Sequence, residues 1–280
     1  MRIFVLQYLL ILVPVIANAE CSPAGGYDLF NPVPKECMRE MSTDRPDFTE
    51  SAYSVPAGHI QVEANFVNWT HDSEAGTEQE ETILGGVNFK LGLTDNSDIQ
   101  FVFDITTIQY LRATEDSPRE RQSGFSDLTI RYKHNLFGND SGNSALALMP
   151  YVTMPTGSDA IGQEDFGGGL IVPFNFDISE RFAAGLMTQL DYLEDSDLDG
   201  HHYEFHNSAT VGYSWNDELG TFIEFVSSSS REAGASWQGI FNVGFTYLVA
   251  EDVQLDGGMG FGVNKEAPDL NAFWGISFRR

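Results

Sequence analysis

The chain is poor in cysteine, in basic residues and in long apolar runs. Cysteine occurs twice in 280 residues, and lysine plus arginine number 15 against 41 acidic residues. Two cysteines leave none for a thiolate metal cluster or a nucleophile. A formal net charge of -26 repels nucleic-acid phosphate, so no nucleic acid is expected as a partner. Beyond residue 20 no apolar run approaches the roughly 18 residues a membrane helix requires, which excludes a helical membrane protein. No glycine-rich phosphate loop opens a helix, because helical periodicity is scarce throughout.

What is present begins with MRIFVLQYLLILVPVIANAE. One basic residue (Arg2), an apolar run from Ile3 to Ile16 and the small-x-small pattern Ala17-Asn18-Ala19 predict a cleaved signal peptide over residues 1–19. Glu20 stands where lipoprotein processing wants a small residue, which argues against lipidation of Cys21. Export places Cys21 and Cys37 in an oxidising compartment, where a bridge between them would contribute about 3 kcal/mol. The alternative is two solvated thiols in a tail.

From Ile60 onward, segments of alternating apolar and polar residues recur between clusters of Gly, Asn, Asp and Ser. Ile60, Val62, Ala64 and Phe66 oppose Gln61, Glu63 and Asn65; Ile99, Phe101, Phe103 and Ile105 oppose Gln100 and Asp104; Ala272, Trp274, Ile276 and Phe278 oppose Gly275, Ser277 and Arg279. Residues 145–155, 219–226 and 238–248 alternate less cleanly. Every second gap is short (94–97, 138–144, 179–181, 216–218, 250–252), while others are longer and acidic (71–81, 112–123, 193–200). That alternation is the habit of outer-membrane barrels, with short periplasmic turns and longer outer loops. The expected fold is all-β: a transmembrane antiparallel up-and-down β-barrel of about 12 strands over residues 57–280, preceded by an extended leader over 20–56.

Strand periodicity alone also fits a soluble barrel with its apolar faces inward. Lipid is favoured by aromatics near the strand ends (Tyr132, Tyr192, Tyr203, Tyr213, Tyr247, Trp274) and by Gly, Asn, Asp, Arg and Lys on the opposite faces. Outer-membrane lipid and lipopolysaccharide, with the barrel-assembly machinery during biogenesis, are then the expected partners, in the outer membrane of a Gram-negative bacterium.

The leader STDRPDFTES followed by VPAGHIQVE, the segment GFSDLTIRYKHNL, the Pro-Thr-Gly after ALALMPYVTM and the closing EDVQLDGGMGFGVNKEAPDLNAFWGISFRR together resemble the outer-membrane transporter family named for the meta (MetA) pathway of phenol degradation. The likeness runs from about residue 42 to the end, and its leader and closing segments are the specific parts. It implies a single barrel that lets small, often aromatic, solutes across, with no cofactor.

Pro46 and Pro56 stiffen the leader, which carries Asp44, Arg45, Asp47 and Glu50 directly before the first strand. It either folds into the lumen, with Arg45 on lumen carboxylates and Asp44 and Asp47 on lumen bases, or forms a solvated periplasmic linker. Asp127, Arg131 and Lys133 fall on one inward row; Asp104, Asp177, Asp191, Glu204, Glu224 and Asp256 give other strands inward carboxylates. Such rows act as selectivity elements or as bracing ion pairs. His202, Glu204 and His206 share one strand face, but alternate residues lie about 7 Å apart, which argues against one shared metal ion. A hydrolase sketched from Asp191, His201 and His202, or around His134, has no compelling spacing. No enzyme and no metal are therefore expected. The remaining alternative is a filled, non-conducting structural or surface-interaction barrel.

Overall fold

The structure, a computed structural model, describes residue 21 and residues 26–74, 76–114, 116–195 and 200–280. The expected signal peptide lies outside these described residues. Among the described residues, one 3-10 turn at Lys35–Cys37 precedes the strands β1 (Ile60–Glu74), β2 (Thr77–Thr94), β3 (Ser97–Arg112), β4 (Glu120–Gly124), β5 (Leu128–Phe137) and β6 (Ser144–Met154). These are followed by β7 (Gly167–Asp177), β8 (Phe182–Glu194), β9 (His201–Ser214), β10 (Leu219–Ser230), β11 (Gln238–Ala250), β12 (Val253–Gly262) and β13 (Leu270–Arg279).

All pairings are antiparallel, and β13 returns to β1 with Gln61 opposite Arg279 and His71 opposite Leu270, closing the sheet. β4 and β5 are two pieces of one stave. β3 pairs with β4 from Thr107 to Leu111 and with β5 from Ser97 to Val102, leaving Phe125–Asp127 as the break between them. Counting that broken stave once, the barrel has twelve staves, as the alternation predicts.

Burial decides which solvent meets which face. Lys90 (2% exposed), Glu224 (1%) and Asp256 (0%) are buried, whereas Ile223 (51%) and Leu186 (47%) are bare. A soluble barrel cannot show this inversion, because it would bury charge and expose its apolar faces to water. The outward face is that of a membrane-spanning barrel. Aromatics ring its rims: Tyr192 packs on Tyr203 at the long-loop end, and Phe182, Tyr213 and Trp215 cluster at the short-turn end.

The sequence expectation of an acidic loop over 71–81 is corrected. β1 and β2 continue through it as a ladder, His71 opposite Glu80 and Glu74 opposite Thr77. Beyond the hydrocarbon a ladder needs no apolar face, and its charges are matched across strands: Arg112 pairs with Glu78, Arg119 with Glu80, and Gln109 donates to Glu81.

Two of the three blurred segments carry apolar residues on their inner face. β6 turns Ala145, Ala147 and Met149 inward, and β10 turns Phe222 and Val226 inward beside Glu224, so part of the lumen wall is apolar. In β6 the polar-in pattern fails because protein, not water, covers the inner face: Ala52 of the leader packs on Ala145 and Ala147. In β1 a bulge between Asn65 and Val67 re-phases the strand, which keeps Asn68 inward. Replacing outward-facing Ile223 with arginine is expected to destabilise the barrel by about 2–4 kcal/mol, measured by denaturant unfolding from bilayers.

Candidate functional site

The lumen is occupied by the leader, which enters from the short-turn end. There Cys21 and Cys37 form a disulfide, and Arg39 donates to the Asp95 carbonyl at 2.8 Å and pairs with Asp140 at 3.3 Å. Residues 43–55 then arch across the barrel interior. An extended segment with no ladder of its own must still satisfy its backbone donors, and the wall supplies acceptors for them. Glu63 accepts from the amides of Asp44 and Arg45, Glu224 from those of Phe48 and Thr49, Asn175 from Ala52, Asn139 from Ser54 and Asp98 from Val55. These contacts come from four strands, β1, β3, β7 and β10, and one turn, so the arch is tied at points spread around the circumference.

Charges lock the arch. Asp44 sits between two buried lysines, Lys90 and Lys133, the latter at 2.7 Å, and Lys90 also pairs with Glu63. Arg45 reaches Asp256 through Nη2 at 2.6 Å and Nε at 3.2 Å, and its Nη1 donates to Asn65. The guanidinium lies flat on Gly275, where a Cβ would overlap it. Glu50 pairs with Arg131 at 2.7 Å, and Thr49 Oγ1 lies 2.7 Å from Ser208 Oγ. Burial alone would push the Asp44 carboxyl up, but the two ammonium groups outweigh it and hold it well below the usual carboxylate range. Glu50 is pushed up to about 7, by burial first and then by the neighbouring Asp44.

The expected roles divide accordingly. Arg45 meets a lumen carboxylate and Asp44 meets lumen bases; Arg131, Lys133, Glu224 and Asp256 are their wall partners. Asp47 does not face a base: it lies against Glu224 and Thr210, and burial and then Glu224 push its carboxyl up. Asp127 does not line the pore. It sits in the β4–β5 break, where its carboxylate accepts from the amides of Thr156, Gly157 and Gln163 and ties down the β6–β7 loop. The phase of β5 cannot be extended through that break. Asp104 is half-buried on the wall, Asp177 is exposed at the short-turn rim, and Asp191 and Glu204 lie on β8 and β9 in a histidine cluster. His202, Glu204 and His206 do not form one donor group: His206 and Glu204 gather with Asp191, and His202 with Asp195 and Glu232. The side chains bring His202 and His206 each to 3.4 Å from Glu204, whatever the backbone separation.

Glu63, Lys90, Asp98, Asn139 and Asn175 were not singled out by sequence. Glu63, Lys90 and Asp98 share the inward parity of their strands, and that signal was available. Asn139 lies in a turn, and nothing local distinguishes it.

Two lumen cavities flank the arch. One of about 380 Å³ opens toward the long loops, among Phe48, Asn65, Asn242, Asn271 and Phe273; another of about 280 Å³ opens toward the short turns, among Tyr53, Asp177 and Phe222. Both reach Arg45, Pro46 and Asp47, so these three residues form the partition between them. A larger groove of about 730 Å³ lies largely on the lipid face, around Val211, Ile223, Phe245 and Trp274, and is not part of the lumen.

Two outcomes follow for the arch. Asp44→Ala leaves two buried ammonium groups short of a partner, a change worth about 3–5 kcal/mol, and is expected to expose residues 43–55 to limited proteolysis while the barrel stays folded. Glu50 and Asp47, bound to protons more tightly when docked than when free, favour docking below about pH 4.5, and Glu50 loses that contribution as pH rises through about 7. Asp44 is ionised across this range in both states, so cleavage of the leader should rise from pH 5.5 to pH 8, and Glu50→Gln should flatten the rise.

Among solved structures, the chain is similar to the transport unit of the autotransporter AIDA-I from Escherichia coli (TM-score 0.51, 8% identity, covering 79% of this chain and 89% of that one). It is also similar to the translocator domain of the autotransporter NalP from Neisseria meningitidis (TM-score 0.50, 9% identity, 79% and 88%). The NanC porin gives a TM-score of 0.49 at 9% identity, covering 78% and 98%. The likenesses to the two autotransporter units establish the outer-membrane barrel fold. No curated protein matches the chain. Residues 43–279 match the family model described as "Putative MetA-pathway of phenol degradation".

Proposed function

We propose that this chain, which belongs to the family described as "Putative MetA-pathway of phenol degradation", is an outer-membrane channel for small solutes, gated by its own leader. The observation that carries this reading is the arrangement of two lumen cavities facing opposite ends of the barrel, with Arg45, Pro46 and Asp47 lining both. A barrel built solely as a scaffold has no need of a cavity on each side of a thin partition. The cavity toward the long loops sets Phe48, Phe273, Val226 and Ile240 against the carboxamides of Asn65, Asn68, Asn242 and Asn271. Apart from Arg45 and Asp47 in the partition and His206 on the wall, the lining is apolar with neutral hydrogen-bonding groups, which suits a small, uncharged, partly aromatic molecule. In this reading passage is passive, no reaction is catalysed, and the solute crosses when the Arg45–Asp47 partition shifts. Export through a cleaved signal peptide, and assembly in a lipid and lipopolysaccharide bilayer, belong to the same reading.

The partition can be pinned. Thr49→Cys with Ser208→Cys places two thiols where hydroxyls now stand 2.7 Å apart. In proteoliposomes, oxidation of this pair should reduce phenol uptake several-fold, and reductant should restore it. Removing residues 20–55 should raise single-channel conductance. Uptake and conductance at the level of empty bilayers, in both the wild-type and the shortened chain, would instead identify a filled structural barrel.

A further inference from the structure

We propose that the histidine–carboxylate cluster on the inner face of β8 and β9 is a binding site for a first-row transition-metal dication, in the long-loop half of the lumen. This inference is independent of whether solutes pass. His206 directs Nε2 between two carboxylates, 3.1 Å from Asp191 Oδ2 and 3.4 Å from Glu204 Oε2. Two donors each about 2.1 Å from a tetrahedral ion stand about 3.4 Å apart, so both distances from His206 Nε2 are near the spacing of ligands around one centre, and the three donor atoms lie within 4.8 Å of one another. They form one group of candidate donors; a second, Asp195, His202 and Glu232, stands at the rim, and the donor atoms of each group lie within 4.8 Å of one another. Glu204 joins the two groups, with its other oxygen 3.4 Å from His202 Nε2.

The supports around the donors are those of a ligand set. A ligating histidine is oriented by a hydrogen bond to its other nitrogen, and His206 Nδ1 lies 2.7 Å from Ser228 Oγ. Asp191 is buried and held by Gln189 at 2.8 and 2.9 Å and by the Tyr151 hydroxyl. Four carboxylates face two imidazoles here, so even with both histidines protonated the cluster retains negative charge, which a dication would neutralise. The imidazole donors select zinc, copper, nickel or cobalt over calcium and magnesium, which take oxygen ligands. The mouth at the long-loop end also carries Glu81, Glu120 and Glu266, beside the Arg119-paired Glu80, and this excess of carboxylates favours entry of cations.

The test uses the mature chain in detergent, titrated with ZnCl₂ by calorimetry and with CoCl₂ by visible absorption, with CaCl₂ as a hard-cation control. The expected result is saturable Zn²⁺ binding that displaces Co²⁺ and is not displaced by Ca²⁺. His206→Ala and Glu204→Gln should each weaken it at least tenfold, and Ser228→Ala, which keeps every donor, should weaken it by a smaller factor. His71→Ala removes a histidine from the separate His71, Glu78 and Glu80 group and should leave this binding unchanged. Folding of each variant is read from heat-modifiable migration; should His206→Ala fail to fold, Ser228→Ala and the wild-type Co²⁺ spectrum decide. Absence of saturable Zn²⁺ binding in the wild type, or unchanged affinity in the folded variants, would overturn the proposal.

Discussion

A carboxylate held between two ammonium groups inside a membrane barrel is the constraint on which this structure turns. Asp44 arrives on a segment outside the barrel wall; Lys90 and Lys133 arrive from β2 and β5. Neither lysine could remain charged in so closed a space without an anion, and the leader's anion could not be buried without them. Docking of the leader and retention of those lysines on the inner face are thus one electrostatic fact seen from two sides. The barrel supplies hydrogen-bond acceptors for the arch in the same way, since Glu63 and Glu224 serve backbone amides that have no strand partner.

This arrangement makes the interior solid where a wide pore would be wet. The remaining space is divided into an outer and an inner cavity, and the partition is short. It rests on side-chain contacts from Arg45 to Asp256 and from Thr49 to Glu224 rather than on ladder bonds. A partition built from side-chain bonds can be released without unfolding the wall, because no stave loses a neighbour when the arch moves. Gly275 shows how closely wall and arch are fitted: the Arg45 guanidinium occupies the place of its missing side chain.

Much of this was legible in the sequence and some was not, for physical reasons. The period of two, the alternation of gap lengths and the aromatic strand ends gave a membrane barrel of about twelve strands, because lipid and lumen impose opposite solvents on alternate residues. Arg45 and Asp44 could be assigned to the lumen because a charged segment adjoining the first strand has few other places to find partners. The identity of one partner was hidden, since Asp256 on β12 meets the leader only through closure of the barrel. Asp127 was misassigned because a break in the stave resets the phase, and residues 71–81 because acidic residues outside the hydrocarbon can sit in paired rungs as readily as in a loop. β6 was blurred because the leader, an apolar neighbour in part, replaces water over Ala145 and Ala147.

The central claim is that residues 43–55 reside in the lumen with their amides bonded to wall side chains. Hydrogen–deuterium exchange of the intact protein in lipid nanodiscs reads this directly. The amides of Asp44, Arg45, Phe48, Thr49, Ala52 and Val55 are predicted to exchange far more slowly than in the free peptide; exchange at free-peptide rates across the segment would contradict the account.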